Sequence, residues 1–394
     1  MAESTLTIRN GRLIRNGVAQ ADSVVCVRGR VVTYAGPPGG APPPSGRAID
    51  AGGRYVCPGF IDLHVHGAAG CDFLSADPAG VRNIAAAHAR RGSTALFATV
   101  RSAAPEEMRR AVSLLGQLIR SGGAPGVVGI HLEGPFINPA RAGVHPLRWL
   151  RAPDLAALDA LLEGAEGCPL IVTLAPELPG AMRLVEAVAA RGAVPAAGHS
   201  DATFDEACAA FSGGVRLVTH LFNAMSGMHH RRPGLAAAAL ADGRVAAELV
   251  ADGVHVHPEM AKMAFRQKGG DGIVLVTDSM QALDAEAEIF SIDGEVFSVR
   301  NGAPVRDDGT LCGSVLTMGG ALRNAARWTG KRPEEIAALA TTVPARLAGL
   351  ADRKGALLPG MDADIAIFDE RFDVQAAFVG GALVYAAAGF EAAH

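Results

Sequence analysis

Residues 60 to 66 read Phe60-Ile61-Asp62-Leu63-His64-Val65-His66, a mostly apolar run that leads directly into two histidines. Residues two apart on a β-strand point to the same face, so both imidazoles can reach one metal ion if this run is a strand. Two histidines at a strand end can also be structural, because the motif is short. The choice between these readings depends on what the other strands of the chain carry.

Seven more segments of the same kind follow, separated by Ala-, Leu- and Arg-rich stretches that are long enough for helices. The eight candidate strands are Phe60–His64, Thr94–Ala98, Val127–Leu132, Leu170–Leu174, Ala193–Ala197, Leu217–His220, Ala247–Val250 and Ile273–Thr277. Helices are expected between them, for example at 106–120, 153–162, 181–191 and 258–268. Eight alternating units predict an α/β fold of the (β/α)8 TIM-barrel type. An open doubly wound sheet is the rival, but no glycine-rich phosphate fingerprint follows the first strand.

Both ends of the chain show the pattern of short antiparallel strands. The candidates are Thr5–Ile8, Arg12–Ile14, Ser23–Val27, Ala363–Phe368, Ala377–Val379 and Leu383–Tyr385, with Asn10-Gly11 as a turn between the first two. Neither end can bury a face alone, so we expect one small β-sandwich domain from residues 1–57 and 358–394, beside a barrel of residues 58–357. Turn sequences at Asp293-Gly294 and Asn301-Gly302 predict a β-hairpin inserted near 290–308.

Composition excludes several classes of protein. The 394 residues are 49% hydrophobic and 19% charged, which is typical of a globular chain with a large core. A net charge of -4 with scattered Lys and Arg argues against nucleic acid as a partner. Apolar runs such as Leu235–Leu240 are far shorter than the ~20 residues of a membrane span. Six widely spaced cysteines and an N-terminus without a signal-peptide pattern predict free thiols and a cytoplasmic location.

Candidate metal ligands stand at the ends of several predicted barrel strands. Glu133 ends the third strand, His199 the fifth and His220 the sixth, in addition to His64 and His66 on the first. One such residue alone is more often structural, but five at equivalent positions predict a metal centre at the barrel mouth. Nitrogen and oxygen donors without thiolate suit Zn²⁺, Fe²⁺ or Mn²⁺, and we take Zn²⁺ as the default. A divalent ion lowers the pKa of its water to about 7 and polarises a carbonyl, which is the chemistry of hydrolysis.

Asp278 ends the eighth strand, which neighbours the first because the barrel closes on itself. A carboxylate beside the two histidines of the first strand is a candidate proton shuttle. Its alternative role is to cap a helix that follows the strand.

Together these motifs resemble the amidohydrolase superfamily, and most closely its family of N-acetylglucosamine-6-phosphate deacetylases. The resemblance is carried by Pro58–Gly67, His131–Phe136, Ala197–Ser200, Thr219–Met225 and Ala251–His255. It implies hydrolysis of the acetamide of N-acetylglucosamine 6-phosphate to glucosamine 6-phosphate and acetate by a homodimer with one or two metal ions per subunit. Glu133, His199 and His220 would hold the principal metal, and His64, His66 and Asp278 a second one. Glu133 would replace the carboxylated lysine that many superfamily members carry on strand four.

The same resemblance implies the substrate contacts. His145 would polarise the acetyl carbonyl, as a catalytic residue beside Asp278, and His255 would contact the sugar. The phosphate would be bound by Asn223, the backbone of Ala224 and Arg231, and the acetyl group would be lined by Leu316 and Met318. Spacing does not decide between Arg231 and Arg232.

One segment departs from the family pattern, and other functions compete. The residues Ser279–Leu283 replace the small residues usual in the family, which implies a reshaped loop near the sugar. The rivals are a D-aminoacylase or an enzyme like isoaspartyl dipeptidase, acting on N-acyl amino acids or dipeptides, and a non-catalytic scaffold. Arg231 and the Asn223-Ala224 pair favour the amino sugar, and the complete ligand set disfavours the scaffold.

Overall fold

The computed structural model describes residues 4–44 and 46–390. The start of the chain forms five strands of a terminal sheet: β1 (Thr5–Arg15), β2 (Val18–Arg28), β3 (Val31–Gly36), β4 (Arg47–Asp50) and β5 (Tyr55–Pro58). The predicted turn at Asn10-Gly11 is wrong. Pairing of β1 with β2 continues on both sides of an irregularity there, so the two predicted strands are one, and the chain turns at Asn16-Gly17 instead.

Eight parallel strands form the barrel, which confirms the predicted fold. The first is β6 (Phe60–Val65), followed by a short hairpin of β7 (Gly67–Ala68) and β8 (Cys71–Asp72). The other seven are β9 (Ser93–Arg101), β10 (Val127–Glu133), β11 (Leu170–Leu174), β12 (Val194–Ala197), β13 (Leu217–Val218), β14 (Ala246–Val250) and β15 (Ile273–Val276). They pair in chain order. The circle closes where Val65 bridges Ser279 and the Asp278 amide donates to the His64 carbonyl at 2.9 Å.

The helices are α1 (Pro78–Ala89), α2 (Pro105–Ser121), α3 (Leu155–Leu162), α4 (Ala181–Ala190), α5 (Phe204–Ser212), α6 (Gly234–Ala241), α7 (Pro258–Lys268), α8 (Met318–Thr329), α9 (Pro333–Ile336) and α10 (Thr342–Leu347). Short 3₁₀ turns lie at Pro38–Gly40, Pro139–Arg141, Leu147–Trp149 and Ala337–Ala340. Strand side chains alternate between two cores. In β9, Ala95 and Phe97 fill the barrel interior, whereas Leu96 and Val100 pack against the helices.

The insertion after the barrel's last strand is a three-stranded antiparallel sheet: β16 (Ile289–Ile292), β17 (Glu295–Arg300) and β18 (Ala303–Val305). The predicted hairpin therefore lacked one strand, because the turn at Asn301-Gly302 leads into β18. Phe290 and Phe297 of this sheet pack with Met280 of the segment that departs from the family pattern. That segment supports the inserted sheet.

Three strands from the end of the chain complete the terminal sheet: β19 (Ile365–Phe368), β20 (Val374–Val379) and β21 (Ala382–Ala386). Because β19 pairs antiparallel with β5, strands from both termini belong to one eight-stranded sheet. The prediction of a shared β module is thus confirmed. Its boundaries at 1–57, 58–357 and 358–394 stay a prediction.

Candidate metal and substrate site

Three predicted ligands meet at the carboxyl ends of β10, β12 and β13. Oε1 of Glu133 lies 3.1 Å from Nε2 of His199 and 3.2 Å from Nε2 of His220. The two Nε2 atoms are 3.0 Å apart. Zinc binds His nitrogen and carboxylate oxygen at about 2.0–2.2 Å, so one ion can contact all three atoms.

The other oxygen of Glu133 faces a second group of histidines. Oε2 lies 3.4 Å from Nε2 of His66 and 3.3 Å from Nε2 of His145. His66 Nε2 is also 3.2 Å from Nε2 of His64 and 3.3 Å from Oδ1 of Asp278. Glu133 therefore stands between the two predicted ligand sets, and a carboxylate in that position can serve both.

A hydrogen bond to the backbone fixes which nitrogen of His199 can bind a metal ion. His199 Nδ1 lies 2.8 Å from the carbonyl of Arg141, and since a carbonyl only accepts, Nδ1 carries the proton of a neutral ring. Its Nε2 lone pair then faces a carboxylate oxygen, which is repulsive unless a cation or proton lies between them. The donor set thus fits a metal ion.

Burial and charge act strongly on this cluster. Burial alone would lower the pKa of His64, but Glu248, Glu133 and Asp278 outweigh it and raise that pKa well above its usual value. Burial would likewise raise the pKa of Glu133, but His64 and His145 hold it well below the ordinary range. Carboxylates that favour a proton on His64 also favour a metal cation, whose binding releases that proton.

Three of the clustered residues adopt backbone conformations that L-residues seldom take. His199, His220 and Asp278 have φ values of 47°, 31° and 49°. Such left-handed conformations outside glycine are uncommon and concentrate at functional sites. Asp278 caps no helix in the described chain, because the next helix is α8 with Thr317 as its cap. Its alternative role as a helix cap is not seen.

His145 reaches the cluster from the loop after β10. It is 5% exposed, and its Nδ1 lies 2.9 Å from the hydroxyl of Ser102 and 3.3 Å from the Ser102 amide. The amide can only donate, so Nδ1 accepts and Nε2 carries the proton of the neutral ring. Burial lowers the pKa of His145 to about 4. A neutral ring that presents an N–H at the mouth of the barrel is suited to donate to a carbonyl.

His255 is held by its own loop. Its Nδ1 lies 2.6 Å from Oδ2 of Asp252, whose other oxygen accepts from the amides of Val254 and His255. Burial opposes protonation of His255, but Asp252 and then Asp278 raise its pKa above the usual value. His255 follows the carboxyl end of β14, which places this loop at the same end of the barrel as the metal ligands.

The predicted phosphate residues are only partly assembled. Asn223 and Ala224 lie half-buried after β13. The side-chain nitrogen Nδ2 of Asn223 is 3.3 Å from the backbone carbonyls of His220 and Leu221. Ala224 has a φ of 48°. Arg231 is exposed in the loop that follows, and among the described residues no hydrogen bond or ion pair joins its side chain to the metal ligands.

The two predicted acyl contacts differ in exposure. Leu316 is half-buried in the segment after the inserted sheet. Met318 is 0% exposed and packs in the core between barrel and helices.

Two buried carboxylates behind the site, Glu248 and Asp62, were not among the residues predicted from the sequence, although Asp62 lies within the motif Pro58–Gly67. Glu248 lies on β14 with its Oε2 2.9 Å from His64 Nδ1 and 3.1 Å from the His220 amide. Asp62 on β6 accepts from the hydroxyl and amide of Thr277, and burial raises its pKa to about 7. His131 is also buried, between the Leu63 carbonyl and the Thr173 hydroxyl. Each of these three residues is polar and lies within a mostly apolar strand, and that pattern could have indicated a buried role near the site.

A closed parallel barrel with histidines and carboxylates at its strand ends defines a metal-dependent hydrolase scaffold. The chain belongs to the amidohydrolase family, which it matches over residues 55–384. It is 34% identical to an N-acetylglucosamine-6-phosphate deacetylase of Bacillus subtilis (strain 168), over 81% of this chain and 82% of that one. It is 35% identical to an N-acetylgalactosamine-6-phosphate deacetylase of Escherichia coli O157:H7, over 84% and 88% of the two chains.

A solved structure shares the whole architecture. A mutant N-acetyl-D-glucosamine-6-phosphate deacetylase of Mycobacterium smegmatis, in complex with N-acetyl-D-glucosamine-6-phosphate, superposes with a TM-score of 0.88 at 32% identity. The match covers 98% of this chain and 100% of that one. In the described residues, no helix has the length and apolar character needed to cross a membrane.

Proposed function

We propose that the chain hydrolyses the acetamide of N-acetylglucosamine 6-phosphate, giving glucosamine 6-phosphate and acetate. The observation that carries the proposal is the convergence of Glu133, His199 and His220 within 3.2 Å, beside a second set formed by His64, His66 and Asp278. The relatives named above are deacetylases of phosphorylated amino sugars. That likeness favours an amino sugar over an N-acyl amino acid or dipeptide.

Glu133, His199 and His220 would hold the principal divalent ion, and His64, His66 and Asp278 a second. When bound, the ion supplies Lewis acidity, which polarises a carbonyl and makes water a better nucleophile at neutral pH. Zinc is our first choice, with Fe²⁺ and Mn²⁺ as alternatives, because imidazole and carboxylate ligands suit all three.

The protein side chains divide the remaining chemistry. Asp278, at the cluster and beside His66, takes a proton from the attacking water and passes it to the departing amine. His145 donates from Nε2 to the acetyl oxygen, in the tautomer fixed by Ser102. His255, held by Asp252, binds a sugar hydroxyl. Leu316 lines the acyl end, and Met318, fully buried two residues further along the chain, supports it from the core.

The phosphate is assigned to Asn223, the Ala224 backbone and Arg231. Because Arg231 is exposed on its own loop, we place it in the pocket of a second subunit within a homodimer, with Arg232 as the alternative. Light scattering at low concentration tests this assembly, and a fully active monomer would exclude it.

We also propose a cytoplasmic location, as predicted from the sequence. All six cysteines are free, and free thiols are typical of a reducing compartment.

One set of assays tests the function. The purified protein is analysed for metal and supplied with N-acetylglucosamine 6-phosphate, its C4 epimer N-acetylgalactosamine 6-phosphate, and unphosphorylated N-acetylglucosamine. The epimer is included because one relative is named for it. We expect acetate release that requires metal and is fastest with the first substrate. Metal-loaded protein that releases no acetate from either phosphorylated sugar would refute the proposal.

A further inference from the structure

One arginine at the barrel mouth has no acidic partner. Arg101 is the last residue of β9, the strand between the histidines of β6 and Glu133 of β10. Its Nε is buried without a hydrogen-bond partner, and its guanidinium forms no ion pair within residues 4–44 and 46–390. Three arginines of surrounding loops are paired with carboxylates: Arg141 with Asp201, Arg148 with Asp293, and Arg306 with Asp308.

The strand register directs Arg101 into the mouth. Ala95 and Phe97 of β9 fill the barrel interior, and the two-residue period of a strand places Arg101 on that same face. Arg101 is also the register partner of Glu133 on β10. The charge therefore lies next to the metal-ligand cluster, although every carboxylate contact of Glu133 is with a histidine.

Arg101 is next in sequence to the residue that holds His145, the histidine assigned to the acyl carbonyl. Ser102, next in sequence, lies 2.9 Å from Nδ1 of His145. Burial and Asp278 raise the pKa of the Cys312 thiol to about 12, and the positive charge of Arg101 acts against them. Cys312 begins the segment that leads to Leu316.

Arg101 lies across the mouth from the proposed phosphate site. It ends the second barrel strand, whereas Asn223 follows the sixth, and these strands are opposite each other in a closed barrel of eight. A phosphate at Asn223 leaves Arg101 free for a different anion. A guanidinium binds a carboxylate through two parallel hydrogen bonds, and such bonds are stronger where solvent is partly excluded.

We propose that Arg101 binds a carboxylate at the distal end of an N-acyl group, so that the enzyme prefers amino-sugar phosphates with an anionic acyl group to neutral ones of the same shape. The inference rests on the proposed deacylase function and adds an acyl specificity to it. In the reaction, water oxygen bonds to the acyl carbon, the C–N bond breaks and the amine takes the proton. Glucosamine 6-phosphate and a dicarboxylate are the products.

The test compares two substrates that differ in one charge: N-malonylglucosamine 6-phosphate and its malonamoyl analogue, in which a carboxamide replaces the carboxylate. We expect the wild-type kcat/KM to be ~10-fold or more higher for the malonyl compound, as for a hydrogen bond to a charged group. Arg101→Met should abolish this preference by lowering only the malonyl value, and Arg101→Lys should keep part of it. Arg82→Met, on the exposed side of α1, is the control and should change neither.

Absence of a wild-type preference, or equal changes for both substrates in Arg101→Met, would overturn the inference. Metal content and thermal unfolding are measured first, and Arg101→Lys and Arg101→Gln carry the comparison if the methionine variant does not fold. N-Acetylglucosamine 6-phosphate is assayed in parallel. Turnover of this compound without a malonyl preference refutes only the role of Arg101, whereas no turnover of any of the three refutes the proposed function.

Discussion

Nδ1 of His64 lies 2.9 Å from Oε2 of Glu248, and neither side chain is exposed to solvent. A carboxylate on the seventh barrel strand thus orients a histidine on the first, across the interior of the barrel. Because Nδ1 donates to Glu248, Nε2 is directed at His66 and Asp278. The same carboxylate oxygen accepts from the His220 amide at 3.1 Å, so Glu248 positions a member of each proposed metal site.

Replacing Glu248 with Gln should weaken metal binding. The amide keeps the shape but removes the charge that holds the Nδ1 proton of His64, and carboxylates behind ligating histidines typically contribute 10–100-fold to metal affinity or activity. We expect a loss of that size in a competition titration with a chelator. Glu186→Gln, exposed on α4, is the matched control. Unchanged metal affinity in Glu248→Gln would contradict this role.

Glu248 also marks the limit of what the sequence could predict. The eight strands and the residues at their ends were predictable, because strand period and strand-end position are local properties of the chain. Glu248 lies inside Ala246–Val250, and its partner His64 is 184 residues away in sequence. No local pattern encodes that pairing, since it arises only when the barrel closes.

The Asn10-Gly11 error has a similar cause. The same two residues suit a hairpin turn or a strand irregularity, and the local sequence does not distinguish them. Here β1 continues because β2 pairs with it before and after the irregularity.

His199→Gln should lower metal content and activity together. Glutamine cannot supply the imidazole nitrogen that lies 3.1 Å from Glu133 and 3.0 Å from His220. Metal analysis of the purified variant, alongside acetate release, measures both quantities on one sample. His257→Gln is a suitable control, since that exposed histidine lies at the start of α7 outside the cluster. Full metal content with full turnover in His199→Gln would show that the principal site is elsewhere.

Lys354→Met should destabilise the contact between the terminal sheet and the barrel. Lys354 Nζ lies 2.5 Å from Asp364 and 2.9 Å from Asp362, and its side chain is only 8% exposed. Removing one partner of a buried ion pair typically costs about 3–5 kcal/mol, because the remaining charge is left unpaired. Urea unfolding at neutral pH measures the loss, with the exposed Lys331→Met as control.

The same cluster predicts a dependence of stability on pH. Burial opposes ionisation of Asp362, but Lys354 and Arg353 outweigh it and hold its pKa below the usual value. An aspartate of lowered pKa stabilises the fold above its unfolded pKa of about 3.9, and that contribution is lost as pH falls through the folded pKa. We therefore compare the free energy of unfolding at pH 5 with its value roughly below pH 4. It should fall more in the wild type than in Lys354→Met. If the free energy of unfolding falls equally with pH in the two proteins, Lys354 does not lower the pKa of Asp362.

Asp278→Asn should reduce kcat far more than substrate binding. Oδ1 of Asp278 lies 3.3 Å from Nε2 of His66 and 3.7 Å from Nε2 of His64, so the carboxylate borders the place where water and the scissile amide must meet. Its pKa is held well below the ordinary value, because His64 and His66 outweigh the effect of burial, and it is therefore ionised and able to accept a proton. Asparagine keeps the shape but cannot accept that proton. General-base contributions are usually ~100-fold or more, and the loss should fall on kcat.

Single-turnover assays on metal-loaded Asp278→Asn separate chemistry from binding. The metal content must be shown to match the wild type, because Asp278 is also a proposed ligand. A variant with its metal retained and near wild-type kcat would move the proton transfer to another group, with His145 and His255 the next residues to replace.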